Sequence, residues 1–171
     1  MRPTYRGSPT APSTRAFAIN PADADLSRAA RGIYVGTTGT LVVTQSDHKS
    51  YDFAPTAVSV ANNTISLGAN HGLVNGQEVI LTNSGGGLPT KATATALTSG
   101  AVYFVRDADQ SAGTIKLAAT LGGSALDLDG AGTGTHTIRE AVQILNAAVG
   151  YHPLECTRVW AATTASDLRG M

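Results

Sequence analysis

The sequence predicts an all-β protein of short strands, with a small barrel or sandwich in its middle. Three observations carry that expectation. Short β-branched and aromatic runs recur along the chain, among them "IYV", "LVVT", "QEVILT" and "AVYFVRD". Breaks rich in Gly and small polar residues, such as "GTTGT", "GGGLPT" and "SGAV", separate them at near-regular spacing. The texture of the chain also changes near residue 55 and again near residue 138. We therefore expect a flexible N-terminal arm over 1–15, followed by strands, with the middle of the chain differing in texture from the stretches on either side.

The arm, "MRPTYRGSPTAPSTR", has nothing large to bury except Tyr5. It reads either as a solvated tail or as a segment that orders against a partner's acidic groups through Arg2, Arg6 and Arg15. In "NPADADLSRAA", Asn20 before a proline, followed by acidic residues, suits a loop or a single helical turn. "GTTGT" between Ile33–Val35 and Leu41–Thr44 predicts a tight hairpin. Farther on, "NNTISLGANHG" and "AGTIKLAATLGG" look like cousins: turn residues, then Thr-Ile-x-Leu, then a small-residue bend. Five or six such strands suggest a small barrel or sandwich. A strand is also expected around Thr157 to Trp160.

Residues 138–149 admit two readings. Ile138, Ala141, Val142, Leu145, Ala148 and Val149 fall at helical spacing, and Thr137-x-x-Glu140 has the capping-box pattern. A strand there pairs beside the strand it leaves, whereas an isolated helix needs a groove to cover its apolar stripe. We favour the strand.

Bulk properties exclude several classes. Charged residues make up only 14% of the chain, against about 25% in ordinary globular proteins, so the surface is covered by Thr, Ser, Asn, Gly and backbone. Such a surface tolerates contact with other subunits because little charge has to be desolvated. The formal net charge is zero and the three lysines, Lys49, Lys91 and Lys116, are scattered. That argues against nucleic acid, which needs clustered cations to release counterions. No apolar stretch approaches membrane-spanning length, and the N-terminus lacks a signal-peptide core. A soluble, unexported chain with no membrane partner is the expectation. Cys156 is alone, so no internal disulfide forms.

Catalytic and ligand motifs are weak. In "DGAGTGTHTI" the glycines 130, 132 and 134 fall on alternate residues, without the G-x-G-x-x-G spacing or the Gly-Lys-Ser/Thr of a phosphate loop. Alternating Gly and Thr instead suits an extended ribbon. His48, His71, His136 and His152 show no paired metal-ligand spacing; His71, before Gly72, reads as closing a turn. Ser84 lacks a nucleophile elbow, and Cys156 reads as a buried structural thiol, too far along a strand from His152 to pair with it. Asp107 with Asp109, and Asp127 with Asp129, read as turn formers because the calcium-loop pattern is incomplete in both places. No enzyme, metal or cofactor is expected.

Two parts of the chain resemble known families. "AFAINPADADLSRAARGIYVGTTGTLVVTQ" and "VQILNAAVGYHPLECTRVWAATTA" resemble the spike base protein family of gene transfer agents and tailed phages. Asp25, Leu26, Arg28, Arg31, Tyr34, Val35, Gly36, Gly39 and Val43 occupy that family's motif positions in the first stretch. Gly150, Pro153, Leu154, Arg158, Val159 and Thr164 do so in the second. The family usually ends in a further apolar strand where this chain has "SDLRGM", which puts that strand in question. The middle, with "NTISL", "NHGLVNGQEVIL", "LTSGAVYFVRDAD" and "GTGTHTI", resembles a small FCCH-like β-module common in phage tail and fibre proteins.

The resemblances imply a β-sandwich or jelly-roll-like host domain, discontinuous over 16–54 with 139–171, interrupted by an inserted small β-barrel-like domain over 55–138, in a structural virion protein made in the bacterial cytoplasm. It would be the oligomeric base of a head spike or fibre, with itself, capsid or portal-proximal proteins and a spike or fibre protein as partners. The candidate assembly contacts are Arg2, Arg6, Arg15, Arg28, Arg31 and Tyr34; for Arg28 and Arg31, solvation or internal pairing is an equal alternative. A second reading makes the insertion a module for host-surface glycans. Sugar sites stack on exposed aromatic faces, and of the neighbours Tyr103 and Phe104 only one faces outward from a strand. A depolymerase would need paired carboxylates, which nothing here suggests.

Overall fold

The computed structural model describes residues 16–171, and the chain is all-β and sandwich-like. Apart from one 3-10 turn at Pro55–Ala57, the described residues form strands and connections. The first strands are β1 (Phe17–Ile19), β2 (Ile33–Val35) and β3 (Gly39–Gln45). The central segment runs through β4 (Ser50–Phe53), β5 (Val58–Ser59), β6 (Thr64–Ser66), β7 (Glu78–Ser84), β8 (Thr90–Lys91) and β9 (Thr95–Ala96). It continues with β10 (Val102–Asp109), β11 (Thr114–Ala118), β12 (Leu128–Gly130) and β13 (Thr135–Glu140). Last come β14 (Val142–Ala147), β15 (Gly150–His152), β16 (Cys156–Val159) and β17 (Leu168–Gly170).

In the central lobe a seven-stranded antiparallel sheet, β4-β13-β7-β10-β11-β6-β5, is covered by a short ribbon, β12-β8-β9. Period-2 alternation drives the arrangement. Along β10, Tyr103 and Val105 turn inward while their neighbours are partly exposed; along β13, His136 and Ile138 do the same. The two Thr-Ile-x-Leu cousins are sheet neighbours, with Ile65 directly opposite Ile115 and both fully buried. Leu88, Leu97 and Leu128, in or beside the ribbon, complete this core.

The glycines of "DGAGTGT" serve close backbone approach. A Cβ on Gly132 would lie 2.5 Å from the Gly87 carbonyl oxygen, and one on Gly134 would lie 2.4 Å from that of Ser84. Both take positive φ, which glycine adopts freely.

The flanking lobe faces a four-stranded sheet, β1-β17-β2-β15, against a three-stranded one, β14-β3-β16. Ile19, Ile33, Val35, Leu41, Val43, Cys156, Val159 and Leu168 fill the space between them. Here the predicted hairpin fails. β2 pairs with β15 and β17, whereas β3 pairs with β14 and β16, so "GTTGT" carries the chain from one sheet to the other. The N–H groups of Gly36 and Thr37 donate to the Ser166 carbonyl at 3.2 and 3.0 Å, and a Cβ on Gly39 would lie 2.4 Å from the Ala165 nitrogen. Facing sheets bury Ile33, Val35, Leu41 and Val43 from both sides, which a two-stranded hairpin cannot do.

Other boundaries also differ from expectation. Ser50–Phe53, expected in the host domain, forms β4, which pairs with β13 in the central sheet, and β13 continues through Glu140. Residues 142–147 form a strand against β3 despite their helical spacing, because pairing there satisfies the backbone N–H and C=O groups along one edge of β3. Thr137 of the capping-box pattern instead donates its hydroxyl to Asp52 at 2.6 Å. The "DLRG" segment, the strand in question, forms β17 between β1 and β2.

The lobes meet around Trp160, the single tryptophan, which is fully buried with Val42, Ile80 and Ala141, and Val102 packs alongside. Leu41 and Val43 of β3 face the flanking core while Val42 faces this junction. The Trp160 backbone N–H donates to Val42 O, and its indole N–H donates to the Thr44 hydroxyl, both at 2.9 Å. Two chain crossings run side by side here. Glu140 N–H donates to Lys49 O at 2.9 Å, and the Glu140 carboxylate accepts from the Lys49 N–H at 2.6 Å, from Lys49 Nζ at 3.2 Å and from the Gln77 amide. Nearby, the buried Arg158 guanidinium lies 4.6 Å from the Trp160 ring and bonds Asp25 through Nε at 2.8 Å and Nη2 at 2.7 Å. That pins the 20–30 loop along β16.

Two stability outcomes are expected. Trp160→Ala should cost about 3–5 kcal/mol, the range for emptying a large core site, read by denaturant unfolding followed by circular dichroism; a loss below about 1 kcal/mol would remove the junction's role. His136 is fully buried; its Nδ1 accepts from Asn83 Nδ2 at 2.9 Å and its Nε2 donates to Ala131 O at 3.1 Å. Burial lowers its pKa below the usual 6.5, with the Ala131 bond opposing in part. The unfolded chain therefore takes up the proton first as pH falls. Stability from this site should be full above 6.5 and decline as pH drops toward the folded pKa. A stability profile flat from pH 7.5 to 5, or one unchanged in His136→Gln, would contradict the assignment.

Candidate functional site

The flanking lobe's four-stranded sheet presents one exposed row. Ala18 on β1 lies opposite Arg169 on β17, which lies opposite Tyr34 on β2, which lies opposite Tyr151 on β15. Residues directly opposite one another in an antiparallel sheet point to the same face, and all four are exposed while their strand neighbours Ile19, Ile33, Val35 and Leu168 are buried. The alternation that fills the core thus places two tyrosines and an arginine outside.

Tyr151 leans over Gly32: a Cβ there would sit 2.3–2.5 Å from its ring and hydroxyl. Any other residue at position 32 would push the tyrosine off the sheet. β15 is also a sheet edge. Val149, in the turn before β15, and Leu145, on β14 at an edge of the facing sheet, are 56% and 67% exposed. Among the described residues, neither Arg31 nor Arg169 forms an ion pair.

Of the six residues singled out by sequence, Tyr34 lies in this row. Arg31 is exposed just before β2, with its backbone N–H donating to Met171 O at 2.6 Å. Arg28 is exposed, its guanidinium 4.2 Å from the Phe17 ring, and Phe17 packs toward the lobe core. Arg2, Arg6 and Arg15 lie outside the described residues. Tyr151 and Arg169 were missed because their strands are three residues long, and only pairing shows that they flank Tyr34. The "BeB" burial of β2 had a sequence signal in "IYV".

The other candidate groups serve the structure. His71 Nδ1 accepts the Leu73 N–H at 3.1 Å, closing a turn as expected. Asp109 accepts from the Ser111 and Ala112 N–H groups at 2.9 and 2.8 Å. Asp129 reaches across to another loop: the Thr90 hydroxyl and the Ala94 N–H hold its carboxylate below the usual range. Asp127 accepts from the Asn63 amide at 3.1 Å. Among the described residues no three His, Cys, Asp or Glu side chains gather to hold a metal ion, and no helix is long and apolar enough to cross a membrane. A polar cleft of about 280 Å³ at the chain crossings is lined by His48, Lys49, Gln77 and Glu140, whose mutual bonds belong to the junction.

No family model, curated protein or solved structure matches the chain. The fold defines an all-β, sandwich-like protein, and its candidate site is a surface row.

Burial pushes the Cys156 thiol up to about 11, so little thiolate forms at neutral pH. In the native protein at pH 8, iodoacetamide should leave Cys156 unmodified for hours and label it fully in denaturant. Rapid native labelling would contradict its burial.

Proposed function

We propose that this protein is a structural assembly component of a virion, the oligomeric base of a head spike or fibre. The observation that carries the reading is the exposed Arg169–Tyr34–Tyr151 row beside the β15 edge. Tyrosine and arginine are the residues that most enrich protein interfaces, since each combines large contact area with a polar tip. A charge-poor surface lowers the desolvation cost of subunit contact, and an open edge is satisfied by a neighbour in a closed assembly. The family resemblance in residues 16–45 and 142–165 supports the same reading and supplies capsid and fibre as the further partners.

The paired substitution Tyr34→Ser with Tyr151→Ser tests it. Sedimentation velocity of the wild-type chain should show a closed oligomer at micromolar concentration, and the variant should dissociate at least tenfold more readily while its circular dichroism spectrum stays that of the folded wild type. Mass spectrometry of purified particles should detect the wild-type chain. A wild-type monomer at all accessible concentrations, absent from particles, would overturn the proposal.

A further inference from the structure

A second, unrelated feature lies on the central lobe. Between the 74–77 turn and the 119–123 loop is an open cavity of about 330 Å³, at the lower end of the range for small-ligand sites, which run from about 300 Å³ upward. Phe104, the outward neighbour of buried Tyr103, lines it together with Leu121, Asn75, Arg106 and Asp107. Leu121 is 68% exposed and reaches across toward Gly76, where a Cβ would lie 3.2 Å from its methyl group. The lip of the cavity is therefore apolar.

Its polar side is built by an irregularity. In a regular strand Arg106 and Asp107 would point to opposite faces. The β10–β11 register shifts between Arg106 and Asp109, and Asp107 takes φ +47, so both adjacent residues line the same cavity. Bulges commonly re-aim side chains at sites of function, and a left-handed non-glycine residue is a strain that needs a reason. The Arg106 guanidinium is fixed by the Gly122 and Gly123 carbonyls, and its Nε lies 3.5 Å from Asp107. Lys116 lies 3.3 Å from the same carboxylate. Asn75 Oδ1 accepts the Ala108 N–H at 2.8 Å, which holds the amide in place.

We propose that this cavity binds one pyranose unit of a polysaccharide. A pyranose has an apolar C–H face and a rim of hydroxyls. Phe104 and Leu121 offer the matching apolar surfaces, while Asp107, Arg106 and the Asn75 amide offer fixed acceptors and donors for the rim. The site is small and open, so affinity for a single sugar is expected in the millimolar range.

The test uses the full chain, isotope-labelled, titrated with the methyl glycosides of glucose, galactose, N-acetylglucosamine and glucuronic acid. At least one should give saturable amide shifts at Asn75, Arg106 and Leu121. That binding should weaken at least fivefold in Asp107→Asn or in Leu121→Ser. Asparagine tolerates the left-handed backbone and Leu121 is exposed, so both variants should keep the wild-type melting temperature. No saturable shift with any glycoside, or shifts undiminished in both variants, would overturn the assignment.

Discussion

The structure depends on one contact: Trp160 of the flanking lobe seated against Val42, Ile80 and Ala141. The central segment leaves the flanking lobe after β3 and returns before β14, so two strands of the same chain must pass through one neck. Two separate cores joined by two short crossings would be free to rock. Burying Trp160 at the neck, with its indole N–H on Thr44 and the Thr44 hydroxyl on Glu140 O at 3.1 Å, makes the crossings part of a third small core. The Glu140 carboxylate, with three donors on it, closes the polar side of the same neck.

That constraint explains the run "LVVT". A strand covered on one face alternates apolar with polar residues; a strand covered on both does not. Leu41 and Val43 serve the flanking core, Val42 serves the neck, and Thr44 caps the tryptophan. It also fixes the outer row. β17 and β15 come from the part of the chain that follows the insertion and β2 from the part before it, so Tyr34 gains its neighbours Arg169 and Tyr151 only once the return strands are home. A rigid neck therefore supports a pre-formed surface, which would lower the ordering cost of the proposed assembly.

Much of this was legible in the sequence where the signal was local. Period-2 alternation marks β10 and β13, but the glycine segment expected as an extended ribbon bends instead: Gly132 and Gly134 take positive φ where the chain passes from β12 to β13 in another sheet. What was not legible depended on partners distant in sequence. "GTTGT" has the composition of a hairpin turn, but residues 164–167, well over a hundred positions away, divert it between sheets. "SDLRG" has too few apolar residues to announce a strand; Leu168 alone is a large one facing the core, and the ladder to β1 and β2 holds the rest. The helical spacing of residues 138–149 is real, yet pairing with β3 overrides it. In the candidate site, Tyr34 stands out as a large residue between two core positions. Tyr151 and Arg169 carry no such mark, and the contact of Arg28 with the Phe17 ring joins residues eleven positions apart that no local pattern links.

The most direct test of the coupled architecture is native-state hydrogen exchange resolved by residue. If the neck unites the two lobes, the amides of Trp160, Ala141 and the central residues of β3 and β7 should exchange only through the slowest, shared opening. Their opening free energies should agree with one another and with global unfolding. Neck amides that exchange quickly, while each lobe shows its own separate and slower class, would mean two bodies joined by a loose tether and would contradict the account.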